Sequence, residues 1–176
     1  MAPTRILIIR HAEEHDVTGV TADGDRNAQS LTVRGWQRAG ALVGLFYPGE
    51  RGPLTPDVLF TSAVAPGSPS QRPRQTIAPL YARLHREGAV GYNETFAKPE
   101  TRPLMEAVLA CQGTVLIAWE HSQIPHCVAA LPNPPQVPAR WPTHRYDLIW
   151  QFDRREGGWD FEQIPQNLLA NETTNV

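Results

Sequence analysis

Ile6-Leu7-Ile8-Ile9 form an unbroken apolar run between Arg5 and Arg10. A run this short and rich in β-branched residues suits a strand covered on both faces, as in a parallel sheet. Two more runs are of the same kind, Asp57–Thr61 (DVLFT) and Thr114–Trp119 (TVLIAW). Between them, apolar residues recur at helical spacing. Thr32 reads as an N-cap, and Trp36, Ala39, Val43 and Phe46 follow until Pro48-Gly49 stops the helix. Residues 71–86 predict a second helix with an irregular start at Pro73. Residues 101–112 predict a third, with Leu104, Val108 and Cys111 on one face. Ala89 to Phe96 is a candidate strand, and a short helix is expected up to about Leu131.

The remaining segments are punctuated by turn residues. Polar residues 11–30 read as a long loop. Pro132, Pro134, Pro135, Pro138 and Pro142 exclude regular structure across 132–142. Arg145–Phe152 alternates, with Tyr146, Leu148, Trp150 and Phe152 apart from Arg145, Asp147, Ile149 and Gln151. With Glu156-Gly157-Gly158 and Trp159–Ile164 it reads as a hairpin. Strands alternating with helices predict an α/β sandwich, mostly parallel, with an antiparallel C-terminal element. A length of 176 residues suits one domain, taken as 1–169, before a polar tail at 170–176 that is expected to be disordered.

Composition excludes several classes of function. Sixteen basic against eighteen acidic side chains leave a net charge of −2, with no global field to attract nucleic acid or an anionic membrane. Cys111 and Cys127 give neither metal spacing nor a disulfide framework, and read as reduced core thiols. The first apolar run is too short for a signal-peptide core or a membrane span, so a cytoplasmic location is expected. The Asn-Glu-Thr triplets at Asn93 and Asn171 then read as chance matches to the glycosylation pattern.

In sheets of this kind, ligands bind where loops leave the carboxyl ends of the strands. Three apolar runs end in polar or ionisable pairs: Arg10-His11, Thr61-Ser62 and Glu120-His121. They are expected to converge on one sheet edge. The string His11-Ala12-Glu13-Glu14-His15 also matches a zinc-peptidase pattern, H-x-x-E-H, but that pattern needs a helix to bring both histidines to one face. Here it follows a strand and runs into loop residues.

RHAE after the first strand, LTVRGWQRA (Leu31 to Ala39) at the first helix, SQRPRQT (Ser70 to Thr76) after the second strand and VLIAWEH (Val115 to His121) occur in one order. Together they resemble the histidine phosphatase superfamily, the phosphoglycerate-mutase-like proteins, over residues 5 to about 130. The resemblance implies a three-layer α/β/α sandwich. It implies a phosphohydrolase that uses no metal or cofactor and passes through a phosphohistidine. His11 would be the nucleophile, Arg10 and Arg72 would hold phosphate oxygens, and His121 would be the second histidine, binding the phosphate and stabilising its transition state.

The chemistry is self-consistent. Phosphoryl transfer is mainly positioning and charge stabilisation. A nucleophilic histidine must be neutral, and neighbouring arginines favour that form. Its other ring nitrogen is expected to donate to a backbone carbonyl. The leaving group needs a proton, for which Glu94 is favoured and Glu100 is the alternative; Glu13 and Glu120 flank the histidines and can orient a ring or an arginine. Arg74 reads as solvated or at the substrate edge, His85 as solvated, and His126 as helical near the core. Trp36, Trp150 and Trp159 read as packing residues. The loop 132–142, with Arg140, Trp141 and His144 beside it, is the candidate specificity element.

Ala12, Val17 and Ser122-Gln123 depart from the better-known branches, and the chain is short for the mutase branch. A small phosphatase is therefore expected, acting on a phosphorylated small molecule or a phosphoprotein. A phosphomutase and a weakly active phospho-ligand-binding module are the alternatives. The substrate and oligomeric state are not readable from the sequence.

Overall fold

The computed structural model describes residues 2–14, 18–88 and 90–172. The elements are β1 Arg5–Arg10, α1 Val33–Phe46, β2 Val58–Thr61, α2 Arg72–Glu87, β3 Gly91–Asn93, α3 Thr101–Leu109, β4 Thr114–Trp119, α4 Ile124–Ala129, β5 Leu148–Arg155 and β6 Gly158–Pro165. The strands make one sheet in the order β3-β2-β4-β1-β5-β6. Its first three pairings are parallel, and β5 and β6 pair antiparallel as the C-terminal hairpin.

The apolar run of β1 divides between two cores. Ile6 and Ile8 pack with Leu104, Met105 and Val108 of α3 and Cys127 of α4. Leu7 and Ile9 pack with Leu42 and Phe46 of α1 and Ile77, Leu80 and Leu84 of α2. The sheet is thus sandwiched between α1/α2 and α3/α4, the three-layer α/β/α arrangement expected. Each fully buried aliphatic side chain in these layers is worth about 1.5–3 kcal/mol.

Local details depart from the sequence reading. The third strand is only Gly91–Asn93, because Glu94 to Phe96 leave the sheet edge; Ala89 lies outside the described residues. The hairpin strand runs Leu148–Arg155 instead of 145–152, and its alternation does not expose one face. Ile149 and Gln151 are buried as well as Leu148, Trp150 and Phe152, because β5 lies between β1 and β6 with a core on each side. Helix α3 ends at Leu109. Helix α2 starts regularly at Arg72 with Pro73 in the first turn, where the missing N–H breaks no intrahelical bond. His126 is on helix α4 as expected but exposed, and the tail residues 173–176 lie outside the described residues.

Register sets the site. Arg10 of β1 pairs with Trp119 of β4, and Thr61 of β2 pairs with Ala118. The three polar strand ends therefore leave one edge side by side. His11 N donates to Trp119 O at 2.9 Å, carrying the β1–β4 contact one residue past the strand.

Candidate active site

His11 is 2% exposed. Its Nδ1 lies 2.9 Å from Ala12 O. A carbonyl only accepts, so Nδ1 carries the proton and Nε2 keeps its lone pair. Burial pulls the His11 pKa from 6.5 to about 4. Glu14 and the Ala12 carbonyl oppose that shift, whereas Arg10 and Arg72 reinforce it. The sequence reading assigned the effect to the arginines. The larger cause is removal of the imidazolium from water.

Arg10 is fully buried. It donates to Thr143 O, to Tyr146 Oη at 3.0 Å and to Glu14 Oε1 at 3.0 Å, and its guanidinium carbon lies 3.8 Å from the Tyr146 ring centre. Arg10 Nε is buried and has no acceptor among the described residues. Arg72 donates to Ala28 O at 2.6 Å and Ser30 O at 3.3 Å, and its Nη1 lies 2.7 Å from Glu14 Oε2. Glu14 thus spans both guanidinium groups, and its Oε1 is 3.6 Å from His11 Nε2. Half-burial opposes ionisation of Glu14, but His11, Arg72 and Arg10 hold its pKa below the ordinary carboxylate value.

The motif residues that touch no ligand position brace this loop. Thr76 Oγ1 accepts from Ala12 N at 2.8 Å and donates to Arg72 O at 2.7 Å, tying the His11 loop to α2. Gln75 accepts from Leu31 N at 2.8 Å and donates to Ser30 Oγ at 2.9 Å. Thr32 caps α1 by accepting from Gly35 N at 3.1 Å, and its hydroxyl donates to Glu13 O at 3.2 Å. A Cβ on Gly35 would stand 2.8 Å from Glu13 O, so α1 packs this closely only with glycine there. Ala12 is buried against Leu31 and Ala39.

His11, Glu14, Ser62, Arg72, Lys98 and Glu120 line a cavity of about 180 Å³. An adjoining cavity of about 400 Å³ is lined by His121, Ser122, His126, Arg140, Trp141 and Thr143 among others. They have no lining residue in common, but the consecutive residues Glu120 and His121 line one each. Glu120 Oε1 is 2.7 Å from His121 Nδ1, and Glu120 Oε2 accepts from Ser122 Oγ at 2.5 Å. Burial opposes ionisation of Glu120, but the Ser122 hydroxyl and N–H, with His121 and Lys98 nearby, hold its pKa down.

The structure therefore gathers Arg10, His11 and Arg72 around Glu14, whereas His121 lines the second cavity. Glu94 and Glu100 are exposed and do not line the cavity: Glu94 accepts from Tyr92 Oη at 2.9 Å, and Glu100 from Ala97 N at 2.7 Å. Glu13 orients an arginine, meeting Arg38 at 2.7 Å in a buried pair. Residues 11–14 are not helical, so the spacing a zinc reading needs is missing; His15 lies outside the described residues. The sequence reading missed Glu14 and Tyr146. The i,i+4 offset of Glu14 from Arg10 was the one local hint; Tyr146 gave none, because its role depends on a distant strand.

No family model and no curated protein matches the sequence. Solved structures do match the fold. A protein of Agrobacterium tumefaciens assigned as the phosphohistidine phosphatase SixA superposes with a TM-score of 0.55 at 20% identity, over 93% of this chain and 99% of that one. A protein of Escherichia coli assigned as an alpha-ribazole-5'-P phosphatase gives 0.53 at 13% identity, over 97% and 100%. The alpha-ribazole phosphatase of Shigella flexneri gives 0.52 at 12%, over 96% and 100%. These are histidine phosphatase superfamily structures, and the fold of this chain is theirs. No helix among the described residues is long and apolar enough to cross a membrane.

Proposed function

We propose that the protein is a phosphohydrolase of the histidine phosphatase type, acting through a phosphohistidine on His11. The observation that carries this reading is the His11 ring: buried, with Nδ1 tied to Ala12 O and Nε2 facing a carboxylate held between Arg10 and Arg72. A phosphoryl group is the other common anion with oxygens for two guanidinium forks.

In the first step the Nε2 lone pair attacks phosphorus, the ester P–O bond breaks, and the departing oxygen takes a proton. In the second step water attacks phosphorus and returns a proton to the donor, the P–N bond breaks, and phosphate leaves as His11 regains its lone pair. Arg10 and Arg72 balance the charge on the phosphoryl oxygens. His121, which lines the larger cavity, is proposed to bind a phosphoryl oxygen that faces it. Glu94 is the proposed proton donor, with Glu100 the alternative; both are exposed and line neither cavity, so the proton would be delivered from outside the cradle. The larger cavity suits the body of a phosphorylated small molecule or a phosphorylated side chain. Structures that share this fold carry names of both kinds, a phosphohistidine phosphatase and a ribazole phosphatase.

The test is hydrolysis of an aryl phosphate by wild type and His11→Ala, with and without EDTA, from pH 5 to 8. Activity that persists in EDTA and disappears in the variant supports the reading. Activity lost to EDTA and restored by zinc replaces it with metal chemistry.

A further inference from the structure

The Glu14 carboxylate stands where the proposed function places a phosphoryl group. Its Oε2 meets Arg72 at 2.7 Å, its Oε1 meets Arg10 at 3.0 Å, and the same Oε1 lies 3.6 Å from His11 Nε2. Three of the four groups assigned to phosphate, all but His121, are thus already engaged by one side chain of the same loop. The cavity is small, at about 180 Å³, and Glu14 is part of its lining. A carboxylate offers two oxygens, whereas a phosphoryl group offers three. The buried, unmatched Nε–H of Arg10 is a donor that Glu14 leaves unused. An anion with a third oxygen has an acceptor to offer such a donor.

We propose that Glu14 is an internal competitor for the phosphate cradle: its carboxylate holds Arg10, Arg72 and His11 in place when no ligand is bound, and an incoming phosphoryl group must displace it. The inference rests on the reading of those three residues as a phosphate cradle. Two consequences follow. The cradle stays ordered without ligand, since the Glu14 carboxylate offsets the repulsion between the two guanidinium groups it joins. Apparent affinity for any phosphate is reduced by the fraction of molecules in which Glu14 occupies the site, so product phosphate leaves readily. Glu14 then acts in binding and release, and makes no bond to phosphorus.

Calorimetric titration with inorganic phosphate tests this, using wild type, Glu14→Gln and Glu14→Asp. Glutamine removes the competing charge at nearly constant shape, and its Kd for phosphate is expected to fall at least ten-fold. Aspartate keeps the charge but withdraws it by one methylene from the guanidinium pair. Its Kd is expected to fall at least three-fold, which a nearby charge acting only through space would not produce. An unchanged or raised Kd in Glu14→Gln overturns the proposal. So does a gain in Glu14→Gln with Glu14→Asp equal to wild type. Should Glu14→Gln fail to fold, as read from its circular dichroism, the aspartate variant alone decides. The aryl phosphatase assay on His11→Ala separates the two readings. Tighter phosphate binding without His11-dependent hydrolysis keeps the competitor and removes the enzyme; hydrolysis with unchanged binding does the reverse.

Discussion

The backbone N–H of Ala12 donates to Thr76 Oγ1 at 2.8 Å, and the same hydroxyl donates to Arg72 O at 2.7 Å. One hydroxyl thus fixes the loop that follows His11 relative to the helix that carries Arg72. Thr76→Val keeps the shape and removes both bonds, leaving the Ala12 N–H buried without an acceptor. A loss of about 1–3 kcal/mol is expected. Urea unfolding measures it as a lower midpoint at unchanged slope, and Thr76→Ser should recover most of it.

Gly35 sits inside α1, where alanine ordinarily favours a helix by about 1 kcal/mol. Here the added methyl would approach Glu13 O to 2.8 Å and Leu31 Cβ to 3.0 Å. The backbone oxygen cannot swing aside without moving the His11 loop. Gly35→Ala is expected to destabilise by about 1–3 kcal/mol despite its better helix propensity. A higher melting temperature would show that α1 shifts away freely.

His11 is held neutral by burial, with its pKa lowered to about 4. Between the unfolded value near 6.5 and that folded value, the unfolded chain takes up the proton and the folded chain does not. This group therefore lowers stability progressively as pH falls through that window, and adds no further loss below about 4. Nitrogen NMR of the imidazole is expected to show the neutral Nδ1–H tautomer still dominant at pH 5.5. Glu14 raises the His11 pKa, so Glu14→Gln should move the titration lower still. An imidazolium signal at pH 5.5 would contradict the arrangement.

The proton donor is testable through the leaving group. An aryl phosphate departs without much help, whereas an alkyl phosphate needs its oxygen protonated. If Glu94 delivers the proton, Glu94→Gln lowers kcat for an alkyl phosphate by about 10²-fold and leaves the aryl rate nearly unchanged. Glu100→Gln then affects neither. An alkyl rate unchanged in both variants transfers the role to the cavity's own carboxylates.

The strands most readable in advance were those buried on both faces. RILII and TVLIAW are continuous apolar runs because β1 and β4 lie inside the sheet with helices on each side. The same reason explains why the alternation from Arg145 to Phe152 does not divide a wet face from a dry one. Its period-two pattern suggests one wet face, yet β5 also has a core on both sides and tolerates Gln151 inside. The short β3 was overread because an edge strand leaves its sheet wherever a partner runs out, which no local pattern records.

In the candidate site, residues at strand ends and in the loop-to-helix motifs were legible from sequence. An apolar run followed by Arg10-His11 places both at the sheet edge once the strand is recognised, and Thr32 marks a helix start by its capping hydroxyl. Sequence alone thus determined the alternation of elements and the sheet edge where the polar strand ends gather. Tertiary structure decided what surrounds His11. Tyr146 reaches Arg10 from 136 residues away, and Glu14 turns into the cradle. Glu120 and His121 line different cavities although they are adjacent in the chain. Those outcomes depend on which side chains meet across β1, β4 and α2. Such encounters are fixed by packing and by the balance of buried charge, which the order of residues along one segment does not encode.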